Sequence, residues 1–360
     1  MKNGRAETST VSVLFPKPRP RNRTILVRYA VPSPFPSHRA ARWAAPAEPL
    51  LTPVFHPTAA IYERCQGSVA ALRLDHLALV EVEGHDAADL LQRVTSQDVV
   101  GLPVAMSARA TILDGKGKLL ALFEVFRLDE GSFLLEVQRD RAPALAALID
   151  RYVFAEDVRV RVLDHEGLAR VGPEVAAPTS AVRRAGPGFD LCSMAWSAEA
   201  TRSWAQRSWL PKADFAEALA AITTAVGGLD EYHALRIDAG LPYLGLDADP
   251  KTIPLEVGLD DACDAKKGCY PGQEIVARIR TYGHVNRLLC RLHVDATAAE
   301  VEQTSALFDE DGDEAGRLTS AFALPSGGGL HAVAMLPRAL ASAGTQLRFA
   351  APDGRLASVR

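Results

Sequence analysis

The densest run of reactive and turn-forming groups in this chain is Lys267, Gly268, Cys269, Tyr270, Pro271, Gly272, Gln273 and Glu274. It sets one thiol in a polar turn rather than in the apolar run typical of a packing cysteine. Lys266 and Lys267 stand just before Cys269, and nearby positive charge favours the thiolate, the form that attacks electrophiles and ligates metals. Gly268 and Gly272 allow backbone turns and close ligand approach that a side chain would block. Tyr270 offers a flat stacking face, while Gln273 and Glu274 supply an amide and a carboxylate able to pair with a heterocycle. The competing reading is that small residues here simply build a tight turn. Nucleophilic catalysis at Cys269 would require a base, and His284 is the only histidine close in sequence.

The other cysteines read as bland. Cys263 lies six residues before Cys269, but structural zinc would need two further ligands, and the chain has no Cys-x-x-Cys pair. Cys192 and Cys290 sit in apolar-flanked segments that suit a core. Cys65 falls in a segment expected to be a tail. Five cysteines make an odd, sparse set that does not read as a disulfide framework, so the expectation is a reducing compartment.

Regular elements must hold this turn in place. Ala78, Val80 and Val82 alternate with Leu77, Leu79 and Glu81 as in a strand. Asp86 is the expected cap of a helix whose apolar stripe is Ala87, Leu90, Leu91 and Val94. Thr111 to Leu113 and Leu119 to Phe126 flank Asp114-Gly115-Lys116-Gly117 as a hairpin, with Asp114 a turn former. Lys116, Lys118 and Arg109 make that hairpin basic, and no role is assigned to them. A strand at Phe133 to Val137 precedes a helix marked by Leu145, Leu148, Ile149 and Tyr152, then a strand marked by Val158, Val160 and Val162. The pattern weakens from Pro173 to Trp209. Phe215, Leu219, Ile222 and Val226 restore a helical period, and Tyr232 to Ala239 predicts a second helix ended by Gly240 and Pro242. Beyond the signature, five short strands within 287–350, separated by Asp/Gly and Gly/Ser turns, suggest a small barrel.

Composition bounds the function. A 360-residue chain that is 48% hydrophobic and 23% charged is of globular type and can bury a sizeable core. A net charge of −4 excludes the overall basic field of a dedicated nucleic-acid binder. No apolar run approaches the roughly 20 residues of a membrane-spanning helix. Residues 1–60 differ in kind, with ten of the 23 prolines, nine Lys or Arg, and only Glu7 and Glu48 as acids. Such a segment is expected to be disordered, because it cannot bury enough apolar surface to offset its ordering entropy. It has the Arg-rich, acid-poor character of a mitochondrial transit peptide, but its prolines would break the amphipathic helix of one. A basic tail or an early-assigned translation start is the preferred reading.

The run from Lys267 to Glu274, followed by Val276-Ala277-Arg278 and Gly283, resembles the signature of the YgfZ family of folate-binding proteins. That family is related to the aminomethyltransferase, or T-protein, of the glycine cleavage system. The resemblance extends from about Leu74 to the C-terminus. It takes in Gly84-His85-Asp86, Leu90 to Thr95, the hairpin between Ala108 and Leu128, and Tyr232 to Gly240 with Pro242. It implies an α+β fold: aminomethyltransferase-like folate-binding domains with antiparallel sheets and helices around a central cavity, plus a small C-terminal β-barrel. The implied organisation is a basic tail over 1–66, an α+β subdomain over 67–165, a second over 166–286 carrying the signature, and the barrel over 287–360.

The resemblance also implies chemistry. The cofactor is tetrahydrofolate or another folate, and the partners are iron-sulfur client or assembly proteins, with no direct nucleic acid and no membrane. Family members support maturation or repair of iron-sulfur proteins, and in bacteria this reaches tRNA modification through the enzymes that thiolate tRNA. Cys269 is the implied working thiol; a cluster usually takes four ligands, so direct contact with one would need a second subunit, glutathione or a client. Glu256 resembles the carboxylate that contacts the pterin. Tyr232 and His76 fall where close relatives carry folate-associated tryptophans. Tyr270, Lys267, Gln273, Glu274 and Arg278 complete the expected folate set, and Arg278 and Arg280, alternating with Ala277 and Ile279, are expected to project toward the folate tail or into solvent. In place of the T-protein stretch that carries an essential aspartate stands Gly117-Lys118-Leu119-Leu120-Ala121-Leu122. A binding protein is therefore preferred to its alternative, a folate-dependent aminomethyl or methyl transferase, and a plain thiol redox protein ranks third. The expected location is cytoplasmic, or the mitochondrial matrix if 1–60 is a transit peptide.

Overall fold

The computed structural model describes residues 52–175, 181–192 and 204–360. Three antiparallel-dominated sheets organise them, with helices segregated to their faces, the α+β arrangement expected. The first sheet has the order β4-β5-β6-β3-β7, with β3 Leu77–Glu83, β4 Ser107–Leu113, β5 Leu119–Arg127, β6 Ser132–Gln138 and β7 Arg159–Val162. Its strands alternate apolar side chains onto both faces. Ala78, Val80, Val82, Phe123, Val125, Phe133 and Leu135 pack beneath helices α2 (Ala87–Val94) and α3 (Ala142–Asp150). The opposite side chains Leu77, Leu79, Phe126 and Leu134 pack against the second sheet.

That second sheet runs β12-β2-β8-β11-β10-β9, with β2 Ala70–Arg73, β8 His165–Gly172, β9 Val182–Ala185, β10 Gly188–Cys192, β11 Trp204–Pro211 and β12 Val226–Gly227. Helices α4 (Lys212–Ala220) and α5 (Leu229–Ala239) follow from it. The third sheet is a closed six-strand barrel in which β15 (Glu314–Ala323) pairs with both β14 (Ala306–Phe308) and β16 (Leu330–Pro337). β17 (Gln346–Phe349), β18 (Arg355–Val359) and β13 (Arg287–Val294) complete the ring. Closure removes the exposed edges that short strands would otherwise present.

The structure corrects several expectations. The stretch 52–66 is built into the fold: β1 (Val54–Phe55) pairs in parallel with Ala321 and Phe322 of the barrel, and α1 (Ala59–Gly67) buries Ile61 and Cys65. Thr52 Oγ1 donates to Leu318 O at 2.9 Å. The proline-rich composition of the first sixty residues masked this because the anchoring uses backbone pairing and two apolar side chains. The remainder of the expected tail, residues 1–51, lies outside the described residues. Sheet membership also crosses the expected limits at 66/67 and 165/166, since β2 joins the second sheet and β1 the barrel. Asp86 does not cap α2 with its side chain; its carboxylate accepts from Asp157 N at 2.8 Å. The helical period read through Val226 stops at Ala220, and Val226 is in strand β12. β18, missing from the expected strands, closes the barrel.

Candidate functional site

Alone among the five cysteines, Cys269 is exposed. Burial pushes the thiols of Cys65 up to about 12 and of Cys192 and Cys290 up to about 11, so these three are held as neutral thiols. Cys263 is pushed in the same direction by burial beneath the signature loop.

The loop that presents Cys269 is anchored on both sides. Upstream, Asp264 Oδ1 accepts from the backbone N of Lys266 (2.6 Å) and of Lys267 (2.7 Å), forming a local turn. The same segment docks on the end of α2 and on β4: Ser96 Oγ donates to Ala262 O at 2.5 Å, and Gln97 Nε2 to Asp261 O at 2.8 Å. Downstream, Gly272 starts helix α6 (Gln273–Tyr282) with φ +80°, a conformation that favours glycine. A Cβ on Gly272 would stand 2.6 Å from Asp114 O and 2.8 Å from Gly117 Cα. Gly272 therefore serves a close backbone contact with the β4–β5 hairpin. Gly268 adopts no positive φ and faces open space, so the turn does not demand glycine there. Tyr270, buried among Leu255, Cys263 and Val276, nails the loop to the core. Burial raises its hydroxyl to about 12.

Lys267 is a correction. Its ammonium turns inward and donates to Gln92 O (2.7 Å), Thr95 O (2.7 Å) and Gln97 O (2.8 Å). All three donors of the ammonium are thus spent at the C-terminal end of α2, where a cation complements the helix dipole. They are not free for the thiol or a ligand. Burial lowers this group to about 8. The signal for an anchoring role was absent from the sequence, because the acceptors lie about 170 residues away.

Arg278 and Arg280 are also corrected: they belong to helix α6 rather than to a strand, so their side chains diverge instead of sharing one face. Arg280 donates to Cys263 O (2.7 Å) and Asp260 O (2.6 Å), bracing the loop, and Arg278 is exposed, as is Glu274. Gln273 Nε2 lies 3.5 Å from Lys267 O. The expected base, His284, follows the far end of α6, whose ten residues span about 15 Å.

A second group of expected residues gathers between the first two sheets. The rings of His76 and Tyr232 lie 4.0 Å apart, and Tyr243 and His233 adjoin them, with centroids 4.8 Å apart. Phe55 stacks on His233 at 3.8 Å. His76 Nε2 is buried without a hydrogen-bond partner among the described residues. Burial, reinforced by the positive charge of Arg207, lowers the His76 ring to about 3. The Glu256 carboxylate accepts from Ile253 N (2.8 Å) and pairs with Arg287 Nε (2.9 Å).

Sequence reasoning missed the charges that line this inter-sheet space. Arg207 of β11 pairs with Glu136 and approaches Glu124 at 3.8 Å. Ser107 Oγ donates to Glu124 at 2.7 Å and Trp209 Nε1 to Glu136 at 3.3 Å. Glu124 shares a strand face with Leu122, so a carboxylate does occupy this face two residues beyond the acid-free stretch, although it is engaged internally.

No family model matches the chain. Among curated proteins it is 27% identical over 281 residues to the tRNA-modifying protein YgfZ of Vibrio vulnificus, covering 72% of this chain and 85% of that one. It is 29% identical over 238 residues to the mitochondrial iron-sulfur cluster assembly factor IBA57 homolog of Mycosarcoma maydis, covering 61% and 56%. The solved glycine cleavage system aminomethyltransferase T from Bartonella henselae superposes with a TM-score of 0.72 at 22% identity, covering 84% of this chain and 88% of that one. With its signature and these relatives the chain is similar to the YgfZ family, and its fold is that of the glycine cleavage aminomethyltransferase.

Proposed function

We propose that this protein is a tetrahydrofolate-binding accessory factor for assembly or repair of iron-sulfur proteins, affecting tRNA modification indirectly, with Cys269 as its working thiol. The observation that carries the reading is the contrast among the cysteines: one is held out on a braced loop while the other four are buried. The likeness to YgfZ and to an iron-sulfur cluster assembly factor supports the choice of client. For folate, the support is the aromatic pair His76 and Tyr232, with an unpartnered ring nitrogen at its edge. A pterin amino group or ring N–H could donate to that nitrogen, because a neutral imidazole offers one acceptor. Glu256 keeps acceptor capacity beyond its bonds to Ile253 and Arg287 and is the proposed second pterin contact. Tyr270 and Gln273 would shape the loop side, with Glu274 and Arg278 available on its exposed helix. Lys267 would act only through the loop it anchors.

The test is twofold. Calorimetry should record tetrahydrofolate binding that survives Cys269→Ala, while the same variant fails to rescue a strain lacking its own YgfZ-type factor. Rescue by a folded Cys269→Ala protein would overturn the role of the thiol. Absence of folate binding would remove the cofactor.

A second reading, a folate-dependent one-carbon transferase, has the fold in its favour. Against it stand Ala121 and Leu122 where the transferase aspartate is expected, and the commitment of Glu124 to Ser107 and Arg207. Turnover of aminomethylated or methylated donors with tetrahydrofolate would revive it.

A further inference from the structure

A cleft of about 560 Å³ opens where the end of α5 meets the outside of the barrel. Leu289 and Cys290 of β13 line it, Gly240 and Gly258 border it, and Arg291 and Arg360 bring charge to it. The two arginines are cross-strand neighbours. β13 and β18 pair with Leu292 opposite Val359, and Arg360 N donates to Arg291 O at 2.9 Å. Like charges placed opposite one another on a sheet repel.

The local counter-charge does not resolve this. Asp238 is the acid at the junction, and its carboxylate already serves Tyr62, His331 (2.6 Å) and Arg360 (3.1 Å). Arg291 reaches only the main-chain O of Asp238, at 2.8 Å, and forms no ion pair among the described residues. Its stem packs over Gly240, where a Cβ would meet Arg291 Cδ at 3.3 Å. The guanidinium is thus held at the cleft with donors to spare and no carboxylate. Gly258 faces open space on the other border. A guanidinium pair beside a small apolar floor is suited to an oxyanion bearing a short organic body, since the fork geometry matches carboxylate and phosphate oxygens.

We propose that this cleft binds a small organic oxyanion, a carboxylate or a phosphate monoester, with its charged head between Arg291 and Arg360 and its body on Leu289, which shares the outer face of β13 with Arg291. The site is independent of the folate and thiol readings. Cys290 contributes packing rather than nucleophilicity, being a buried neutral thiol.

Calorimetric titration of the full chain with benzoate, phenyl phosphate and inorganic phosphate tests the proposal. The aromatic ligands should bind more tightly than inorganic phosphate, and the stronger of the two identifies the head group. Arg291→Met should weaken binding by at least about tenfold, the scale of one charge-assisted pair. Ala239→Leu, which fills the cleft without touching an ion pair, should weaken it as well, with both variants melting cooperatively. Failure of all three probes to bind, or undiminished binding by either folded variant, overturns the site. Competition between the probes and tetrahydrofolate would overturn it too, by making the cleft an extension of the folate cavity.

Discussion

The signature loop and the seam between the first two sheets both draw on long-range contacts, but to opposite ends. Around Cys269, turn formation by Asp264, the φ of Gly272 and the start of α6 all arise within a dozen consecutive residues. The seam takes Glu124 from β5, Glu136 from β6 and Arg207 from β11, the last pair separated by 71 residues. The loop spends its polar groups on fixing one exposed sulfur, whereas the seam buries charges that satisfy one another. A buried ion cluster of this kind is weak evidence for net stabilisation, but removing one member leaves uncompensated charge in a poor solvent. The loop can therefore lose its reactive atom at little structural cost, and the seam cannot.

The largest expected effect breaks the seam. Arg207→Met should destabilise the protein by about 3–5 kcal/mol, because two buried carboxylates lose their shared cation. Burial already pushes the Glu136 carboxyl upward, so the variant should recover part of its stability on mild acidification as that group protonates. Urea denaturation at two pH values checks both statements. A loss below about 1 kcal/mol would place the seam in water and erase the contrast with the loop.

What could be read from the sequence follows the same division. Alternation of Ala78, Val80 and Val82, the stripe of α2, the β4–β5 hairpin and the barrel strands all express short-range periodicity, and the structure contains them. So does the α+β class. No role was assigned to Glu124, Glu136 or Gln138 from the sequence, because on β5 and β6 they obey the same period as exposed residues would. Only the arrival of β11 with Arg207 and Trp209 makes that face interior. Lys267 misled for a related reason: beside Cys269 in sequence it looked like an activator, yet its acceptors come from the end of α2. His284 shows the converse case, since the histidine nearest Cys269 in sequence follows the far end of α6.

The aromatic group sharpens the comparison through pH. His76 and His233 are lowered by burial, to about 3 and about 2, from an ordinary value of 6.5. As pH falls below 6.5, the unfolded chain takes up protons that the folded chain refuses, so stability declines with acidification until the folded values are reached. His76→Phe should flatten this acid limb while leaving stability at neutral pH nearly unchanged, because the buried Nε2 has no hydrogen bond to lose and the ring contact with Tyr232 is retained. Thermal melts from pH 7 to pH 4 measure the slope. An unchanged acid limb would assign it to His233 and to the carboxylates.

The smallest structural effect belongs to the group with the largest proposed functional one. Cys269→Ser exchanges one atom on an exposed turn, so its unfolding free energy should shift by less than about 0.5 kcal/mol. Alkylation supplies a sharper readout than stability. In the native protein, iodoacetamide should modify Cys269 first, and the serine variant should lose that rapid phase entirely. The four buried thiols should react only as the structure opens, hence at a rate that rises with denaturant. A second rapid thiol in native conditions would point to Cys263, six residues away beneath the same loop. That outcome would mean the bonds from Lys267 and Asp264 open on the reaction timescale, so that the loop and the seam differ in rigidity as well as in composition.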